Sequence, residues 1–116
     1  VYNWVSMAGT SDIPWFIEVY LETTMLDSPE MLWKASPLAR AHAITTPTLV
    51  IHSETDYRTP VEQGQQFFSL LYHNGVDTDL LIFPSGEGHE LSRSGKPKHR
   101  VERFDAILDW HGRHLQ

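Results

Sequence analysis

The sequence contains no cysteine. That excludes a disulfide framework, a thiolate metal site and a cysteine nucleophile together, and it is compatible with a cytoplasmic location. Also missing is any apolar run near the roughly 18 to 20 residues that a membrane span needs, so no membrane association is expected. No basic segment leads into an apolar core at the start, and nothing there reads as a signal peptide. Positive charge is scarce: 9 Lys and Arg stand against 15 Asp and Glu, a formal net charge of −6. A nucleic-acid partner would need a cationic face to neutralise phosphates, and none is expected. What is present, 41% hydrophobic and 21% charged residues over 116 positions, is the balance of one soluble globular unit. The chain opens on Val1 instead of Met, and the simplest expectation is a piece of something longer.

Residues 1–35 are rich in aromatics (Tyr2, Trp4, Trp15, Phe16, Tyr20, Trp33) without clean periodicity. Trp15 to Leu21 reads as a short helix, and core packing is the simplest role for these rings. Asp27-Ser28-Pro29-Glu30 starts a second helix, with Ser28 as cap and Pro29 in the first turn. Ser36-Pro37 ends it, because proline pushes the preceding residue out of the α region.

Thr48-Leu49-Val50-Ile51-His52 is apolar, β-branched and not alternating, which predicts a strand buried on both faces, as in parallel sheets. A polar turn from Ser53 to Pro60 follows, then a helix from about Val61 to His73 closed by Asn74-Gly75. Thr78 to Phe83 is the second strand, stopped by Pro84. A loop of about fifteen residues from Ser85 to His99 precedes a last helix, His99 to His114. Val101, Phe104, Ile107, Leu108 and Trp110 to His111 on that helix fit one stripe facing a core. Strand, helix, strand, helix makes a βαβ unit with parallel pairing. Two strands alone leave exposed edges, so further strands are expected from upstream chain or a partner.

Open α/β sheets carry catalytic groups at the carboxyl ends of their strands. Asp56 follows the first strand and His89 the second, so both belong at one rim. A carboxylate there can fix the tautomer of an imidazole whose other nitrogen takes a proton from a serine hydroxyl. The order acid then base, both after the serine, is that of α/β-hydrolases. By themselves, an Asp in a turn and a lone His more often have local structural roles.

The residues around them narrow the choice. Thr46-Pro-Thr-Leu-Val-Ile-His-Ser-Glu-Thr-Asp-Tyr-Arg-Thr-Pro60 resembles the strand-and-acid segment of the prolyl oligopeptidase family. Gly86-Glu-Gly-His-Glu-Leu-Ser-Arg-Ser-Gly95 is similar to the histidine loop of its acylaminoacyl-peptidase branch, and the likeness runs on to Leu108-Asp109-Trp110. It is specific from about Ser36 onward and weaker before, where Gly9-Thr-Ser-Asp-Ile13 is similar to a segment after the nucleophile region. Ser53 stands where many relatives have glycine, and the approach from Phe83 to Glu87 is one residue longer than usual. The resemblance implies the C-terminal part of an α/β-hydrolase catalytic domain spanning residues 1–116, with parallel strands and flanking helices. It implies Asp56 as triad acid, His89 as triad base and Arg58 as a donor to the substrate backbone carbonyl. Arg58 as a surface ion-pair partner is the competing reading.

No Gly-x-Ser-x-Gly elbow is present. Ser11 has a glycine two residues before it, but Ile13 replaces the second glycine and no apolar strand leads in. The nucleophile is therefore expected upstream of Val1, and these residues alone are expected to be inert. His111 and His114 share a helix face, but zinc wants three or four ligands, so neither a metal nor a cofactor is expected. The function expected of the whole is hydrolysis of short peptides, including N-acylated ones, by a serine-type peptidase. A carboxylesterase-like hydrolase and a non-catalytic interaction fragment stay open, as does a homo-oligomer. Trp15, Phe16 and Tyr20 are candidates for an apolar specificity pocket.

Overall fold

The structure, a computed structural model, describes residues 1–84 and 86–115. Its order is α1 Trp4–Thr10, α2 Phe16–Leu21, α3 Pro29–Ala35, a 3₁₀ segment Pro37–Ala43, β1 Thr48–Ser53, α4 Glu62–His73, β2 Thr78–Phe83, α5 Leu91–Ser94 and α6 Pro97–His114. β1 and β2 pair in parallel from Thr48 opposite Thr78 to Ser53 opposite Phe83. The two strands therefore end level, and the segments after them leave from one rim.

The crossover helix α4 ends as its sequence demands. Gly75 takes φ +75°, its amide bonds the Tyr72 carbonyl, and the Val76 amide reaches back to Leu71. These are the two bonds of a Schellman motif, whose apolar partners at either end also meet. Here those partners are Leu71 and Val76, both in a core cluster with Leu38, Ala41, Val50 and Phe67. That cluster lies between α4, the sheet and the 3₁₀ segment.

A second cluster joins Trp4, Met7, Ile17 and Leu32 of α1, α2 and α3. Helix α1 has no counterpart in the sequence reading. Seven residues are too few for a periodic signal, but its start was written in Asn3, whose side chain accepts from the Val5 and Ser6 amides at 3.0 and 3.2 Å. Ser28 does occupy the N-cap of α3, although its hydroxyl makes no capping bond; its backbone carbonyl accepts from Met31 and Leu32 instead.

Four expectations need correction. The strands are not buried on both faces: Val50, His52, Ser53 and Phe83 are buried, and most other strand residues are partly open. Core packing holds for Trp4 but fails for Trp15, Tyr20 and Trp33, which are exposed. The loop after β2 is interrupted by α5, and α6 starts at Pro97, two residues early, because proline is preorganised for a first helical turn. Finally, of the α6 stripe Trp110 is buried as expected, but Val101, Phe104 and Leu108 are exposed. The cause is area. An 18-residue helix is about 27 Å long, while two paired strands offer a surface only about 5 Å from axis to axis.

Candidate active site

Asp56 sits in the tight turn after β1 and is held by that turn. Its Oδ1 accepts from the amides of Arg58 and Thr59 at 3.0 and 2.9 Å. This is the local bonding that makes aspartate a turn residue. Its Oδ2 accepts from the Thr59 hydroxyl at 3.0 Å and from His89 Nδ1 at 3.0 Å. The two catalytic candidates are thus in direct contact, at the shared rim where the sequence put them.

A carboxylate in its ionised form only accepts, so Nδ1 of His89 is the donor in this contact, and in the neutral ring the lone pair then falls on Nε2. That is the tautomer a general base needs. The Asp56 side chain is 8% exposed and that of His89 is 45% exposed. The carboxylate is sealed while the imidazole faces outward, beside an open cavity of about 340 Å³ that both residues line with Thr59, Tyr2 and Arg103.

Two residues that the sequence reading left unassigned complete the acid turn. Thr59 donates its hydroxyl to the acid. His52, at the end of β1, donates from Nε2 to the Thr59 carbonyl at 2.7 Å, and this nitrogen lies 3.7 Å from Asp56 Oδ2. The ring fits only because residue 64 is glycine: a Cβ there would meet His52 Nδ1 at 2.7 Å. A glycine inside a helix costs about 1 kcal/mol relative to alanine, which was the available clue to a close approach.

Arg58 does not reach into the Asp56–His89 contact. Its Nε and Nη2 grip Asp12 Oδ1 and Oδ2 at 2.7 and 3.3 Å. This ion pair, chiefly through its hydrogen bond, lowers the Asp12 carboxyl from its ordinary range and raises the guanidinium. Two of the five guanidinium N–H groups serve Asp12. Ser11 is likewise committed, donating to the Arg58 carbonyl at 2.7 Å and accepting from the Ile13 amide. The Gly9–Ile13 segment therefore clamps the acid turn through Ser11 and Asp12.

Trp15 and Phe16 meet edge-on and Phe16 stacks on Tyr20. Trp15 lines a cavity of about 340 Å³ with Ala8, Ile17 and Leu26, which Phe16 and Tyr20 do not line, so the three rings do not share one pocket wall. His114 bonds Asp77 at 2.9 Å and the Trp110 carbonyl at 2.8 Å. Among the described residues no group of three or more His, Asp or Glu could hold a metal ion, and no helix is long and apolar enough to cross a membrane.

The model of the prolyl oligopeptidase family matches residues 1–116. The chain belongs to the prolyl oligopeptidase family. Within it, the chain is 41% identical over 116 residues to an uncharacterized peptidase, YuxL, of Bacillus subtilis (strain 168), covering 99% of this chain and 18% of that protein. It is 33% identical over 125 residues to acylamino-acid-releasing enzyme 1 of Oryza sativa subsp. japonica, covering 99% of this chain and 16% of the relative. The structure superposes on Pyrococcus horikoshii acylaminoacyl peptidase with a TM-score of 0.86 and 32% identity, over 99% of this chain and 19% of that one. The family fold, an α/β-hydrolase with parallel strands and flanking helices, is the fold seen here. The chain spans less than a fifth of each of these relatives.

Proposed function

We propose that this chain supplies the acid and base of a serine-type peptidase that cleaves short peptides, including N-acylated ones. The observation that carries the reading is the 3.0 Å contact from His89 Nδ1 to Asp56 Oδ2, with the acid sealed and the base outward. In this mechanism His89 Nε2 takes the proton of a serine hydroxyl as the oxygen attacks the scissile carbonyl. Asp56 stabilises the resulting imidazolium, which then gives its proton to the leaving amine. Water repeats the attack on the serine ester and releases the acid product. The serine belongs to the rest of the catalytic domain, upstream in the longer protein, of which residues 1–116 form the C-terminal part.

Arg58 is assigned to the backbone carbonyl of the bound peptide, with Asp12 holding the guanidinium plane at the rim of the acid turn. A cytoplasmic setting suits a chain without cysteine. The acylamino-acid-releasing relative supports N-acylated substrates.

In the full-length protein, Asp56→Asn is expected to lower kcat by about 10⁴-fold, as loss of the correct imidazole tautomer does in triads. His89→Ala is expected to abolish labelling by a fluorophosphonate probe. Hydrolysis of an acyl-amino-acid nitroanilide and of the matching ester measures both and separates peptidase from esterase preference. Wild-type turnover in His89→Ala would end the assignment.

A further inference from the structure

Glu87 is a carboxylate at 1% exposure in a glycine-rich loop, a costly place for charge unless it is paired. Its bonds run to three stretches of chain. Oε1 accepts from the Lys96 amide at 3.0 Å and from His99 Nδ1 at 2.6 Å, both in or next to the first turn of α6. Its backbone carbonyl accepts from the amide and hydroxyl of Thr55 at 3.1 and 2.6 Å. Its amide donates to the Pro84 carbonyl at the end of β2. The fit is tight: a Cβ on Gly95 would lie 2.7 Å from Oε2 and 2.6 Å from the Leu91 carbonyl. His99 is held in turn against the Phe83 ring, with centroids 5.5 Å apart.

The connectivity matters because of what adjoins it. Thr55 directly precedes Asp56, and Glu87 lies two residues before His89. The Glu87–Thr55 bonds, made by the Glu87 backbone carbonyl, therefore set the spacing of the backbone stretches that bear the acid and the base, and the side-chain bonds to Lys96 and His99 fix where that carbonyl lies. His89 gets little help from packing, with almost half its side chain open. Burial pushes the Glu87 carboxyl up, but the bonds from His99 and the Lys96 amide outweigh it and leave the group below its ordinary range.

We propose that Glu87, locked by His99, is a positioning residue that holds the His89 loop against the acid turn at hydrogen-bonding distance. This rests on the reading of His89 as the base. Glu87 touches no substrate. Its contribution is geometric, and displacement of a reacting group by about 1 Å can cost as much as a hundredfold in rate.

The test uses the full-length protein, an acyl-amino-acid nitroanilide and fluorophosphonate labelling, with thermal unfolding to identify folded variants. Glu87→Ala is expected to lower kcat and labelling rate roughly ten- to a hundredfold with KM little changed. His99→Leu is expected to act in the same sense. Glu87→Gln keeps an acceptor oxygen for Lys96 and His99, and is expected to recover most of the rate. A folded Glu87→Ala protein with wild-type kcat would overturn the proposal, as would a loss confined to KM. If Glu87→Ala does not fold, His99→Leu decides by the same criteria. His89→Ala separates the two levels: if it is inactive while the Glu87 and His99 variants turn over normally, only the positioning role fails. If His89→Ala is itself active, the catalytic reading fails and carries the positioning role with it.

Discussion

The acid turn and the histidine loop meet at one hydrogen bond but are built in opposite ways. Asp56 is held by groups within three residues of itself, two amides and a hydroxyl. Its environment is encoded locally, in the run Asp-x-Arg-Thr. The His89 side chain bonds Asp56 at 3.0 Å, with the Thr59 hydroxyl farther off at 3.4 Å. The loop that bears it is tied, through Glu87, to residues 32 positions before that glutamate and 12 after it. One hydrogen bond thus joins a rigidly held carboxylate to an imidazole whose position is set at a distance. In the mechanism we propose, His89 needs that openness to meet a nucleophile and a substrate.

The contrast is sharpest in stability. Asp56→Ala leaves two amides and a hydroxyl of a half-open turn without their acceptor, and it should cost about 1–3 kcal/mol in all, since water can reach part of what is freed. His89→Ala, at an open position, should stay within about 0.5 kcal/mol. Urea unfolding of the two full-length variants measures the difference. Equal losses would show that the loop carries as much of the fold as the turn does.

A smaller effect is expected at Gly64. Its replacement by alanine drives a Cβ into the His52 ring and disturbs the Thr59 carbonyl that the ring supports. Overpacking of this kind costs about 1–3 kcal/mol, against about 1 kcal/mol regained in helix propensity, so a net loss is expected in thermal unfolding. A more stable Gly64→Ala protein would mean that His52 has room to move and the acid turn is less rigid than its bonds suggest.

The smallest effect lies away from both loops. The hydrogen bond from His114 to Asp77, then that to the Trp110 carbonyl, raise the His114 pKa. A raised folded-state value means that the pair stabilises fully below the ordinary histidine pKa and loses its contribution as pH rises through the raised one. His114→Gln should therefore flatten the pH dependence of stability just above the ordinary histidine range while leaving activity unchanged. A profile identical to wild type would show that the exposed Asp77 adds nothing there.

These differences also explain what the sequence made legible. β1, α4 and β2 announced themselves through a β-branched run, an Asn-Gly stop and a proline stop, each a local signal. Their places at the ends of parallel strands made Asp56 and His89 candidates, and the resemblance of residues 46–60 and 86–95 to the family singled them out. Glu87 was not legible: between two glycines it reads as a solvated loop residue, and its partner His99 stands twelve positions away with no pattern joining them. His52 was read as part of a strand, and its role becomes visible only once α4 brings Gly64 against it. The stripe on α6 was periodic as expected, but periodicity reports which side is apolar and says nothing of whether these 116 residues supply its cover.

The level finish of the two strands has a consequence for how such a site can change. With Ser53 opposite Phe83, the pair of strands works as a ruler with both zero marks aligned. A slip of one residue would displace one mark by about 3.3 Å and turn its side chains to the other face. That exceeds the play in any hydrogen bond. Insertions and deletions near this rim should therefore be tolerated in the connecting segments and refused inside either strand.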